Sequence, residues 1–428
     1  MRLPGLAPDS LLRHREFGLY IGGGLLSASG TWIQNIVAAV VMLQLTNSVF
    51  MVGVLNFASF LPLLLFSLVG GVASDSLRRR DIVVISHGIS AVLAAALAIL
   101  TLSGGLEPWH LIVVAFLINT TYAFAKPALT SMIPLLVPRE RIPQASAITS
   151  MQFTGGQIVG AAIASISLAV GAPGVGFAVN ALTYLGPIVA MLSIPAAARL
   201  IEGRPSEGSW RALLEGLDYV RRDPIVLLLI IGIMASSVTA EAMRTLSPAF
   251  ATQVLDAEDS VTGIIIGAFA VGSGLALLSI SWLLRFMKPS RLSISGLGLQ
   301  GAGAFVFAVA PTVPFAICGA ALIGVGLSYN LPMLTARLIE HAPDRLRGRV
   351  TSLHTLSNLG SRPLAAITAA TVATLIGPRV AMGLFVIAAL VGLAAAVVSG
   401  RREAGAMMQR HRSDGDGATN PDDAGLLR

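Results

Sequence analysis

Charge is what this chain has least of. Asp, Glu, Lys and Arg make up 12% of its 428 residues, against about 25% in soluble domains. With 54% apolar residues and a mean hydropathy of +0.78, so few charges cannot clothe a water-soluble surface of this size. Cysteine is nearly absent: Cys318 stands alone, which excludes an internal disulfide framework and a cysteine-based metal cluster. His14, His87, His110, His341 and His411 fall near the ends of apolar runs without ligand spacing, so no metal is expected. A phosphate-cradling Gly-x-x-x-x-Gly-Lys loop is missing, and no polar stretch is long enough for an ATPase domain. No enzyme and no cofactor are therefore expected. The first 16 residues are polar and the apolar stretch after them far outruns a leader's core, so a cleaved secretory leader is not expected either.

What is present is a series of uncharged runs, and a helix crosses the bilayer in about 20 residues. Phe17 to Ser74 carries no charge, enough for two helices with a turn at Thr46-Asn47-Ser48. Ile82 to Leu106 gives one more and Pro108 to Pro138 another, interrupted by Lys126. Ile142 to Ala198 again holds two, broken at Gly171-Ala172-Pro173-Gly174. After a polar stretch, Pro224 to Leu255 is one helix carrying Glu241 and Arg244, and Ser260 to Leu284 is one. Leu292 to Ala336 is two, broken at Pro311-Thr312-Val313-Pro314. Val350 to Pro378 is one, interrupted by Arg362, and Val380 to Gly400 is the last. The pattern predicts an all-α polytopic membrane protein with twelve transmembrane helices.

Basic residues set its orientation, because they stay on the cytoplasmic side of short loops. The chain has 29 of them. With the N-terminus inside, 25 fall in cytoplasmic segments, Arg379 alone faces out, and Lys126, Arg244 and Arg362 lie within spans. Both termini are therefore expected inside. The net charge of +7 is topogenic and forms no continuous basic surface, so nucleic acid is not an expected partner.

The twelve spans divide into a cytoplasmic tail (1–16), a six-helix bundle (17–198), a linker (199–223), a second six-helix bundle (224–400) and a disordered tail (401–428). Within the linker, Ser209 can cap a helix with Trp210, Leu213, Leu214, Leu217 and Val220 on one face, suited to lie on the membrane surface. The halves repeat weakly. Pro127 matches Pro332, Pro138 matches Pro343 and Gly155 matches Gly360 at one offset; Gly53 matches Gly263 and Gln34 matches Arg244 at another. Two pseudo-symmetric six-helix halves imply a transporter with its site between them.

At these residues the chain resembles the major facilitator superfamily. Between the second and third spans, Gly71, Asp75, Arg79 and Arg80 match that family's signature loop, while Ser76 and Arg78 depart from it. Within the superfamily it is most similar to the bacterial exporter branch that includes enterobactin and macrolide exporters. Gly30-Thr-Trp-Ile-Gln34, Phe124-Ala-Lys-Pro-Ala128, Gly216-Leu-Asp-Tyr-Val-Arg-Arg-Asp-Pro224 and Arg347-Gly-Arg-Val350 carry that likeness. The resemblance implies that Asp75, Arg79 and Arg80 form a latch that shuts the cytoplasmic side; the plainer reading is a topogenic loop with an incidental acid. In the fifth span, Gly156-Gln-Ile-Val-Gly160-Ala161 has alanine where the family's antiporter motif has proline.

Polar groups inside the spans form the candidate site, since each must find a partner in hydrocarbon. Glu241 is the acid set well inside a span, with Arg244 one turn on: either a proton-coupling group or a self-neutralising pair. Arg362 has no acid in its own span and either binds an anionic group or is held by carbonyls. Lys126 reads as snorkelling. Trp32, Gln34 and Asn35 suggest a wall for amphipathic molecules, or else hydrogen bonds that hold the bundle together. Asn119, Tyr122, Gln157, Asn330 and His354 carry the same two readings. The resulting expectation is a secondary transporter of the inner (plasma) membrane, monomeric, surrounded by lipid, exporting a small amphipathic drug or siderophore by alternating access with proton coupling. Two alternatives stay open: an uncoupled facilitator or importer of a small metabolite, and a non-transporting scaffold or sensor with a transporter fold.

Overall fold

The computed structural model describes residues 11–195, 220–343 and 347–417, without the side chains of Leu68, Asp75, Ser352, Ala404 and residues 347–349 and 406–417. Every described regular element is helical. In the first half these are α1 (Arg15–Thr46), α2 (Val49–Ser76), α3 (Arg79–Leu102), α4 (Pro108–Thr130), the single turn α5 (Ile133–Leu136), α6 (Ile142–Ala169), α7 (Pro173–Thr183) and α8 (Leu185–Ser193). The second half holds α9 (Pro224–Ala249), α10 (Ser260–Leu283), α11 (Pro289–Val309), α12 (Val313–His341), α13 (Arg347–Ile376) and α14 (Pro378–Gly417).

Local chemistry sets the boundaries. Asn47 takes the left-handed conformation (φ 47°) and ends α1 at the expected turn, a conformation its short polar side chain tolerates. Gly171 (φ +66°) does the same between α6 and α7. Asp223 caps α9 by accepting from the backbone N–H of Ile225 and Val226 at 2.9 and 3.3 Å, with Pro224 in the first turn, where its missing N–H costs nothing. The stretch read as a single sixth span is two pieces, α7 and α8, meeting at Tyr184. Pro187 lies four residues after Thr183 and cannot donate to its carbonyl, so the helix breaks there.

With α7 and α8 taken together as one span (Pro173–Ser193), eleven helices among the described residues are long and apolar enough to cross a membrane; α6 is outside that number. It is long enough at 28 residues, but Gln144, Thr149, Ser150, Gln152, Thr154 and Gln157 dilute it. Two further expectations concern the linker and the tail. The linker helix at 209–220 lies almost wholly outside the described residues. The tail, read as disordered from Arg401, instead continues α14 as far as Gly417. Arg401, Arg402 and Glu403 are good helix formers, and Glu403 is anchored by an ion pair to Arg337 at 3.0 Å.

The apolar cores show how the halves meet. At the end where α1 turns into α2, residues of both halves share one core, among them Val40, Val52, Leu97, Leu246, Phe250, Phe307 and Ala369. At the opposite end there are two cores, one around Phe17, Val83, Met132 and Ile148 and one around Leu229, Ile233, Leu334 and Val350. The molecule is thus closed at the α1–α2 turn and parted at the end that carries the start of α1. Contacts across the closed end run mainly from α2 to α13 and from α6 to α10.

The closest of these approaches are made by Gly53 and Gly263. A Cβ on Gly53 would collide with Ala370, and one on Gly263 with Ser165. They are one of the two glycine pairs that match between the halves, and for this pair the sequence repeat marks equivalent seams. Gln44 Nε2 donates to Asp259 Oδ2 at 2.6 Å and Ser165 Oγ to the Ser260 carbonyl at 3.0 Å, closing the same end with polar bonds.

Candidate functional site

Between the halves lies a cavity of about 650 Å³, within the range of small-molecule sites. Its walls come from α1, α2, α3, α4, α6, α8, α9, α10 and α13. Most of the lining belongs to the first half and is uncharged. The second half contributes Glu241, Arg244 and Arg362, and among the described lining residues the remaining charge is Lys126.

The charged groups are built as follows. Glu241 and Arg244 are one turn apart on α9, which puts them on the same face. Arg244 Nη1 donates to Glu241 Oε2 at 3.3 Å, with the side chains 13% and 4% exposed. The Arg244 guanidinium also lies over the rings of Phe269 (4.6 Å) and Trp32 (5.6 Å), so two aromatic faces share its charge. Trp32 in turn meets Phe153 edge-on at 6.2 Å. On α13, Arg362 Nη2 donates to Asn358 Oδ1 at 3.0 Å, and the same oxygen accepts from Ser237 Oγ at 3.1 Å. An amide oxygen is thus its hydrogen-bond partner, and the buried Nε groups of both Arg244 and Arg362 have none. Lys126 Nζ stands 5.8 Å from the Tyr122 ring centroid. It faces the cavity and is exposed there, rather than reaching along lipid to the interface as the sequence suggests.

Of the residues singled out in the sequence, Trp32, Gln34, Asn35, Asn119, Tyr122, Glu241, Arg244 and Arg362 border the cavity. One of these also holds the bundle, since Gln34 Oε1 accepts from Asn180 Nδ2 on α7; Asn119 Nδ2 donates within its own helix, to the Ala115 carbonyl at 2.9 Å. Gln157, Asn330 and His354 lie outside the lining. Asn330 is fully buried within the second half, where its Nδ2 donates to Gln300 Oε1 at 2.7 Å and its Oδ1 accepts from Ser236 Oγ at 2.7 Å. His354 Nε2 meets Thr335 Oγ1 at 2.9 Å between α12 and α13. Gln157 is buried on α6.

At the loop after α2, the Asp75 side chain lies outside the described residues. Arg79 is buried, and Arg80 Nε pairs with Asp81 Oδ1 at 3.1 Å. The reading from sequence missed Asn358, Phe153 and His87. Asn358 precedes Arg362 by four residues, the helical spacing that signals one face. His87, read as a span-end histidine, borders the cavity with Nδ1 on the Val83 carbonyl at 2.9 Å.

The comparisons with known proteins bear on this geometry. Residues 5–414 match the model of the transmembrane secretion effector family. The chain belongs to that family, within the major facilitator superfamily. It is a multi-pass membrane transporter of the bacterial exporter branch, not an enzyme. Among curated members, the multidrug efflux pump Tap of Mycolicibacterium fortuitum is 24% identical over 84% of this chain and 89% of its own length. The enterobactin exporter EntS of Escherichia coli O1:K1 is 23% identical over 82% and 83%. The fold of this secretion effector is shared by a mutant of the nucleoside transporter NupG, at TM-score 0.73 and 13% identity, over 90% of this chain and 99% of that one. A bacterial homologue of the lysosomal transporter Spinster, solved inward-facing and unoccupied, aligns at TM-score 0.70 and 15% identity over 92% and 98%.

Proposed function

We propose that this family member is a secondary active exporter of a small amphipathic molecule, working by alternating access and coupled to protons through Glu241. The observation that carries the reading is a cavity between two helical bundles that share one core at one end and have separate cores at the other. Rocking the bundles would exchange the closed end for the open one. In this proposal α6 is the twelfth span, both termini are cytoplasmic, and the bundles are 17–198 and 224–400, joined by a cytoplasmic linker. The chain then sits as a monomer in the inner membrane with its cavity open to the cytoplasm. Asp75, Arg79 and Arg80 would latch the cytoplasmic side when the bundles rock. The exporter direction is supported by the names of the relatives, an efflux pump and an enterobactin exporter.

The coupling role proposed for Glu241 is supported by its pairing with Arg244, which a proton on the carboxylate would loosen. An uncoupled facilitator is the second reading. Ala161 in place of the antiporter motif's proline favours it, as does the presence of a single carboxylate in the described lining. Proteoliposomes separate the two. Under a pH gradient, Glu241→Gln should abolish flux of the exported compound, while flux down the compound's own gradient persists. Wild-type flux that ignores the pH gradient would establish the facilitator reading.

A further inference from the structure

The cavity's charge is unbalanced. Its described lining holds three cations, Lys126, Arg244 and Arg362, against the single carboxylate of Glu241. Arg244 is matched by Glu241 and by two aromatic faces. Arg362 has the Asn358 amide oxygen, which must also serve Ser237. A guanidinium presents five N–H donors, yet the buried Nε of each arginine is without an acceptor. Buried donors are nearly always satisfied, and an exception calls for a missing partner. At membrane depth an uncompensated arginine is costly, so a bound anion would relieve it. A cation entering the same space would meet both Arg244 and Arg362.

We propose that the transported compound is a soluble amphipathic anion, a carboxylate or similarly acidic oxygen group carried on an apolar aromatic body, with the acidic group received by Arg362 and Arg244. This rests on the exporter reading above and narrows its substrate class. The planar fork of arginine suits paired oxygens, and Trp32 and Phe153 supply the apolar wall beside it. Lys126, exposed on the lining and positive, adds attraction along the way in. Glu241 keeps the Nη1 edge of Arg244, leaving the acidic group to Arg362 and to the remaining donors of Arg244.

The test is binding and flux with three probes of one shape: pyrene butyrate, pyrene butanol and pyrene butylamine. The full chain in phosphatidylcholine nanodiscs should bind the anion at least tenfold more tightly than either of the others. Arg362→Gln should remove about tenfold of that preference, with Arg362→Lys intermediate, and leave the alcohol unchanged. If Arg362→Gln does not fold, judged by its melting curve, Arg362→Lys and Lys126→Gln carry the comparison. Equal or tighter binding of the amine would overturn the proposal, as would an anion preference indifferent to residue 362. Displacement of the probe by phosphatidylglycerol added to the discs would overturn it too, identifying the ligand as a lipid headgroup. In proteoliposomes, flux of the amine or the alcohol without flux of the anion would end this proposal and spare the exporter reading. Tight, Arg362-dependent anion binding with no flux in either direction would end the exporter reading and leave only an anion-binding site at Arg362.

Discussion

Asn330 and Arg362 show how two polar residues in similar helices come to different ends. Both lie within apolar runs and both must find partners. Asn330 meets Gln300 and Ser236 inside one bundle, and every atom of that group is buried. Arg362 lies at the seam between bundles and is left with donors to spare. The first arrangement is expected to hold the fold and the second to bind. Asn330→Leu should therefore lower stability by about 1–3 kcal/mol, because Gln300 and Ser236 lose a buried partner, while the apparent KM for flux stays at the wild-type value. Thermal unfolding in detergent and flux in proteoliposomes check the two halves of that statement. A raised KM without loss of stability would place Asn330 in the site instead. Arg337 gives a second case. In the sequence it counts as a loop arginine, but it is buried among Ser293, Ser399 and Glu403 at 3.0, 2.8 and 3.0 Å. Those partners are spread over α11 and α14, and no local spacing reveals them.

At the scale of elements, the glycine seams decide which end is shut. Gly53 on α2 packs against α13 and Gly263 on α10 packs against α6. A larger side chain at either would have to push the bundles apart, a strain of about 1–3 kcal/mol for overpacking. Gly53→Val should accordingly shift the population toward the form open at this end. The shift is measurable with a single cysteine in the cavity, Asn35→Cys in a Cys318→Ser background. An impermeant maleimide should label it faster from the α1–α2 side and more slowly from the other. Unchanged labelling from both sides in a folded protein would show that the seam does not gate. The pairing of Gly53 with Gly263 was visible as a repeat in the sequence. That both close the same end was not, because each glycine's neighbour lies in the other half of the chain. The break between α7 and α8 was legible in principle, since Pro187 is plain to see, but a span-length run of apolar residues masks it.

For the whole molecule, the outstanding question is whether α6 crosses. Its glutamines, serines and threonines keep it below the apolar level of the other eleven helices. Yet it packs along α1 and α10, and Thr149, Ser150, Gln152 and Thr154 face the cavity. A helix that meets water on one side and protein on the others has little need of a fully apolar surface. A phosphatase reporter that is active only outside the cytoplasm should therefore be active when inserted after residue 105 or 171, and inactive after 209. Inactivity at 171 would remove the twelfth span and with it the expected orientation of the second half.

The sequence by itself determined the class of molecule, the positions of most helix ends and the short set of charges that interrupt the apolar runs. These follow from rules that act locally: an uncharged run must enter hydrocarbon, a basic loop must stay out, and proline or a left-handed residue must end a helix. Only the tertiary structure decided which polar residues face one another. Asn330 turned inward to Gln300, Arg337 was drawn to α11 and α14, and His87 and Lys126 faced the cavity. The physical reason is that a polar group in hydrocarbon is satisfied by whichever partner folding brings within hydrogen-bond distance. For Asn330 and Arg337 that partner lies on another helix, where no local spacing in the sequence points to it.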